Sequence, residues 1–129
     1  MDQKALVKKI SATFTELSKK DGELSLVMLS PSSLFNEKTN LSLTVSASWL
    51  NQKTPKTAIK YISDSLKKHI KDLHIQRLIN ISIIHTDDDY VKNMNNSYNI
   101  AISNEPTIVG SFDASGNFQT SLLFISKKI

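Results

Sequence analysis

A chain of 129 residues fits a single domain, and a domain of this size buries about two-thirds of its unfolded surface. Its 40% hydrophobic and 22% charged residues exclude a disordered chain, and no apolar run approaches the roughly 20 residues that span a bilayer. Cysteine is absent, which excludes disulfides, thiolate metal sites and cysteine nucleophiles, and the net charge of +4 comes almost wholly from lysine, Arg77 being the only arginine.

The segment 2–20 reads as an amphipathic helix. Leu6, Ile10, Phe14 and Leu17 recur at helical spacing, and Val7 and Thr13 widen the stripe. Asp2 sits at the positive end of the helix dipole, Lys19 and Lys20 sit at the negative end, and Gly22 is placed to stop the helix. The run ELSLVMLS (23–30) is mostly apolar and predicts a buried strand. PSSLFNEKTN (31–40) follows as a long loop rich in turn residues, with Leu34 and Phe35 in its middle. These two are the loop's candidate contact residues if they stand exposed.

LSLTVSASW (41–49) has the clearest pattern in the chain. Leu41, Leu43, Val45, Ala47 and Trp49 alternate with Ser42, Thr44, Ser46 and Ser48, so one strand face is apolar and the other is small and polar. The stretch 54–74 predicts a helix capped by Thr54 with Pro55 in its first turn. Its core stripe is Ile59, Ile62, Leu66, Ile70 and Leu73, and its opposite side carries Lys56, Lys60, Lys67 and Lys71. RLINISIIH (77–85) reads as a further strand, so strand, helix and strand together predict a crossover between parallel neighbours.

Three aspartates come next, in the segment HTDDDYVKNMNN. They are read as the start of a helix whose inner face is Tyr90, Val91, Met94 and Tyr98, with Thr86 or Asp87 as N-cap. The rival reading, a metal-dependent enzyme built on His85, Asp87 and Asp89, lacks both calcium-loop spacing and a paired-histidine motif. His69 and His74 are read as dipole partners at the end of the second long helix. NIAIS (99–103) is a candidate strand, and TIVGSF (107–112) and FQTSLLFIS (118–126) flank DASGN as a hairpin.

The predicted architecture is one α+β domain over residues 1–129. It is a two-layer α/β sandwich in the order α-β-β-α-β-α-β-β, with five to six strands in a mixed sheet and helices mainly on one face. Glycine-rich phosphate loops and the Gly-x-Ser-x-Gly elbow are missing, so no catalytic residue, cofactor or metal is expected. The absence of cysteine and of an apolar leader fits a cytoplasmic protein with no membrane association. The functional expectation is a non-enzymatic interaction module: an adaptor, accessory subunit or regulatory protein, with self-association as a homodimer included. Its candidate contacts are Leu34, Phe35, Ser42, Thr44, Ser46 and Ser48. The alternative is a nucleic-acid-binding protein using Lys56, Lys60, Lys67 and Lys71, in which phosphate contacts would dominate.

Overall fold

A computed structural model describes residues 2–30, 40–112, 116 and 118–128; Leu34 and Phe35 lie outside the described residues. The elements are α1 (Gln3–Lys20), β1 (Leu26–Ser30), β2 (Leu41–Ser46), α2 (Ser48–Asn51), α3 (Pro55–His69), α4 (Leu73–Leu78), β3 (Ile79–Ile83), α5 (Asp89–Ser97), β4 (Thr107–Phe112) and β5 (Phe118–Ser126). The five strands form one mixed sheet in the order β3-β2-β1-β5-β4. Among the described residues only the β2–β3 pair is parallel, and α3 lies within the connection between its strands, as the strand–helix–strand spacing predicts.

β1 occupies the centre, and all five of its residues are buried. Val27 and Leu29 join a core with Leu41, Leu43 and Val45 of β2, Phe124 of β5, and the inner faces of α1 and α3. Leu26 and Met28 point to the other face, where they pack with Leu123, Val109, and Val91 and Met94 of α5. One sheet face therefore carries α1 and α3, and part of the other carries α5. The continuous apolar run of β1 is the composition that a strand covered on both faces requires.

Local chemistry sets the helix ends. The Asp2 carboxylate accepts from the Ala5 N–H at 2.7 Å and starts α1. Past the end of that helix Gly22 adopts φ +123°, a conformation open to glycine but strained for other residues. Thr54 caps α3 through the Thr57 N–H, with Pro55 at the first helical position.

The long helix expected over 54–74 is two helices. Ile70 turns to an extended conformation with its side chain fully buried, and Gln76 Nε2 donates to the freed Ile70 carbonyl at 2.7 Å. Asp72 then caps α4, accepting from the N–H groups of His74 and Ile75. The expected core stripe is shortened accordingly: Ile62, Leu66 and Ile70 are buried, while Ile59 and Leu73 stand exposed. His74 belongs to the first turn of α4, whereas His69, the last residue of α3, holds Glu16 of α1 at 2.9 Å.

Two further expectations change. The alternation over 41–49 overruns the strand: β2 ends at Ser46, and Trp49 sits in α2. Its indole N–H lies within hydrogen-bond distance of the Gly22 and Glu23 carbonyls, at 3.1 and 3.2 Å, which makes Trp49 the anchor at this end of the sheet. Residues 99–103 contribute one isolated bridge, Ile100 to Ser126, and no full strand.

Trp49 also stands edge-on to Tyr61 of α3, with centroids 6.0 Å apart, and Lys53 Nζ lies 5.3 Å from the Tyr61 centroid. The Tyr61 hydroxyl donates to Asp21 at 2.6 Å. That hydrogen bond, then burial, then the nearby negative charge push the Tyr61 phenol up to about 12. A raised folded-state pKa means that the stabilisation is full below the unfolded value near 10 and is lost as pH rises through about 12. Ultraviolet titration of phenolate absorbance should therefore show one tyrosine ionising near pH 12, and Tyr61→Phe should remove that step. Tyr61→Phe should also lower stability at neutral pH by about 0.5–1.5 kcal/mol in denaturant melts.

Candidate functional site

The second sheet face is divided. Over β1 and β5 it is closed by α5, with Val91 and Met94 on the apolar strand residues and the Tyr90 hydroxyl 3.6 Å from Met28 Sδ. A polar cluster fixes the helix there. Asn95 Nδ2 donates to the Ser25 carbonyl and the Ser126 hydroxyl, Ser25 Oγ lies 2.9 Å from Asn95 Oδ1, and the Ser126 hydroxyl donates to the Met94 carbonyl. Both serines are buried, so the carboxamide satisfies groups that would otherwise be stranded. Beside this cluster a cleft of about 370 Å³ is lined by Ser48, Thr86, Asp87, Lys92 and Asn96, among others. Ser25 and Asn95, which also line it, are committed to holding α5 on the sheet.

Over β2 and β3 none of the described elements covers the same face. The parallel register sets Ser42 beside Asn80 and Thr44 beside Ser82. Ser42, Asn80 and Ser82 are exposed and Thr44 is half-buried. The surface is small, hydroxylated and uncharged, and it can both donate and accept hydrogen bonds.

The four polar positions expected to share a face do not all do so. Ser42 and Thr44 do. Ser46 has the same parity but pairs with Leu26, inside the core under α5, and is fully buried. Its hydroxyl has no hydrogen-bond partner among the described residues. Ser48 is exposed, but it belongs to α2 and not to the strand. Asn80 and Ser82 complete the patch. The alternation of β3 already puts them on the polar face with Ser42 and Thr44, and the parallel pairing with β2 sets them side by side there.

The lysine set is likewise divided. Lys56, Lys60 and Lys67 lie exposed along α3, with Lys60 paired to Asp64 at 2.9 Å. That ammonium holds the Asp64 carboxyl below its usual range. Lys71 follows the end of α3 and is not part of the helical stripe.

The aspartate run does begin a helix, but the cap is Asp88, whose carboxylate accepts from the Tyr90 N–H at 2.9 Å. Thr86 is not available for that role. Its hydroxyl accepts from Asn51 Nδ2 at 2.7 Å, and its N–H donates to Asn51 Oδ1 at 3.2 Å. Asp87 projects into solvent with its N–H donating to His85 Nδ1, and Asp89 occupies the first turn. His85 Nδ1 and the Asp87 carboxylate are 3.7 Å apart, and both side chains are more than half exposed. Among the described residues no group of three His, Cys, Asp or Glu side chains converges as a metal site. No helix of the described residues is long and apolar enough to cross a membrane. Compared with protein-family models, curated proteins and solved structures, the chain matches none.

Two stability measurements test these assignments. Asp88→Ala should lower stability by about 1 kcal/mol through loss of the cap, whereas Asp87→Ala should change it by less than about 0.5 kcal/mol. Ser46→Ala removes an unpaired buried hydroxyl, so it should leave the melting temperature unchanged or raise it by the equivalent of up to about 1 kcal/mol.

Proposed function

We propose that this protein is a small non-enzymatic interaction module, an adaptor, accessory subunit or regulatory protein that works by presenting its sheet to a protein partner. One observation carries the reading: among the described residues α5 covers the β1/β5 half of its sheet face and nothing covers the β2/β3 half, with Ser42, Asn80 and Ser82 exposed. Short hydroxyl and amide side chains on a sheet allow a partner backbone to approach closely, and they lose little rotamer entropy when ordered. Binding of this kind rests on packing and neutral hydrogen bonds, so it withstands salt.

The test is affinity capture of the tagged protein from its source cells at low and high salt. A stoichiometric protein that survives high salt supports the module. An empty eluate, or nucleic acid at low salt alone, overturns it.

A second reading, nucleic-acid binding, draws on Lys56, Lys60 and Lys67, which stand exposed at helical spacings of four and seven along α3. It predicts binding that falls steeply with salt and weakens at least tenfold when Lys60 and Lys67 are changed to Glu. Electrophoretic mobility shifts with a generic duplex measure both. Binding unchanged by the two substitutions excludes the α3 face.

A further inference from the structure

We propose that β3 takes a further strand on its outer edge, an extended segment of the partner protein that carries acidic side chains on the side facing α3. The proposal rests on the interaction-module reading and names the chemistry of the partner that meets this half of the sheet.

β3 is an outer strand, and among the described residues it pairs only with β2. Its sequence, INISI, carries no charge and no proline, the devices that usually protect a free edge. A strand added to such an edge gains main-chain hydrogen bonds, and pockets beside the edge select its side chains. A pocket of this kind is present. Ile79 and Ile81 of β3 are half-buried, and with Ser63, Leu66, Lys67 and Ile70 they line a shallow notch between β3 and α3. Lys67 is the exposed member, a cation beside a mainly apolar lining.

The flank of α3 that overlooks this notch has one sign. Lys56 precedes Lys67 by eleven positions, which places it about 20° away around the helix and about 16 Å along it. A strand as long as β3 covers about the same distance. Both lysines are exposed, and neither ammonium has a partner among the described residues. The neighbouring acids are placed elsewhere. Asp64 lines the groove on the α1 side of α3, and Asp72 caps α4. Asp87 lines the cleft beside α5, and Asp88 and Asp89 start that helix.

An incoming strand with carboxylates toward α3 therefore meets two unpaired ammoniums, and its apolar side chain on that side enters the notch. Its remaining side chains fall beside Asn80 and Ser82 and continue the polar patch. Phosphates of a nucleic acid would use the lysines and leave the apolar notch unfilled, so the combination favours a peptide. Main-chain bonds supply the affinity and the lysines supply the preference for acid, so salt erases the preference before it erases the binding.

The test uses the whole chain and a labelled peptide of about nine residues that alternates glutamate with threonine, with valine in place of the central glutamate. As a strand it shows glutamate and valine on one side and threonine on the other. Fluorescence anisotropy should show saturable binding, and amide shifts on titration should concentrate at residues 79–83. Replacing the glutamates by lysine should weaken binding about tenfold. N-methylation of two adjacent residues, one of whose N–H groups must face β3, should abolish it. Lys56→Glu with Lys67→Glu should weaken the acidic peptide about tenfold and tighten the lysine peptide. Lys4→Glu with Lys8→Glu, exposed on α1, changes the net charge equally and should alter binding by less than about twofold.

Absence of saturable binding overturns the proposal, as does binding that N-methylation or the Lys56 and Lys67 substitutions leave intact. A generic duplex that displaces the peptide at lower concentration also overturns it, since the flank then serves phosphates. A salt-resistant protein captured equally by the wild type and by the Lys56→Glu, Lys67→Glu variant removes the acidic strand alone and leaves the interaction-module reading standing.

Discussion

The burial of β1 on both faces is the constraint on which the rest of the structure depends. All five of its residues are buried, with Val27 and Leu29 on one side of the sheet and Leu26 and Met28 on the other. A central strand of this kind demands a cover on each face. The first is substantial: α1 and α3 bring Leu6, Ile10, Phe14, Ile62 and Leu66 down on the strands. The second is α5, nine residues long, with Val91 and Met94 as its buried contacts.

A helix as short as α5 cannot roof five strands, and where it stops decides what the surface offers. It lies over β1 and β5, held by the Asn95 carboxamide on Ser25 and Ser126. The sequence of β2 is fitted to this boundary. Ser42 and Thr44 lie outside it and tolerate water, whereas Ser46, beside Leu26, lies within it and is buried. The core thus needs only half of this sheet face, and among the described residues the other half is left uncovered. At the opposite edge of the sheet the β4–β5 hairpin exposes Ile108 and Phe118, apolar residues that also contribute little to the core.

The local signals in the sequence were legible where one interaction dominated. Strict alternation located β2, the Thr54-Pro55 pair located the start of α3, and the mostly apolar run 23–30 marked a buried strand, which forms over Leu26–Ser30. Periodicity misled where it continued by accident. Ala47 and Trp49 extend the alternation past the end of β2, and Leu73 extends the helical stripe past a break set by the burial of Ile70 and the Asp72 cap. Of the two N-caps expected, Thr86 is bound by Asn51, 35 positions earlier in the chain, and Asp87 projects into solvent beside His85, so the cap falls to Asp88. The candidate surface was half legible for a similar reason. Parity grouped Ser42, Thr44 and Ser46 with Asn80 and Ser82, and the sheet order keeps the β3 pair beside the first two but removes the third. Which strands a helix covers is a tertiary fact, and a strand's own pattern does not encode it.

The central claim is that the β2/β3 half of the second face serves binding and not folding. The double substitution Asn80→Lys with Ser82→Lys tests it most directly, with thermal stability and partner capture measured on the same preparation. The account predicts a melting midpoint unchanged within the equivalent of about 0.5 kcal/mol, together with loss of the salt-resistant partner. A variant that melts well below the wild type, or that retains the partner in full, would contradict it.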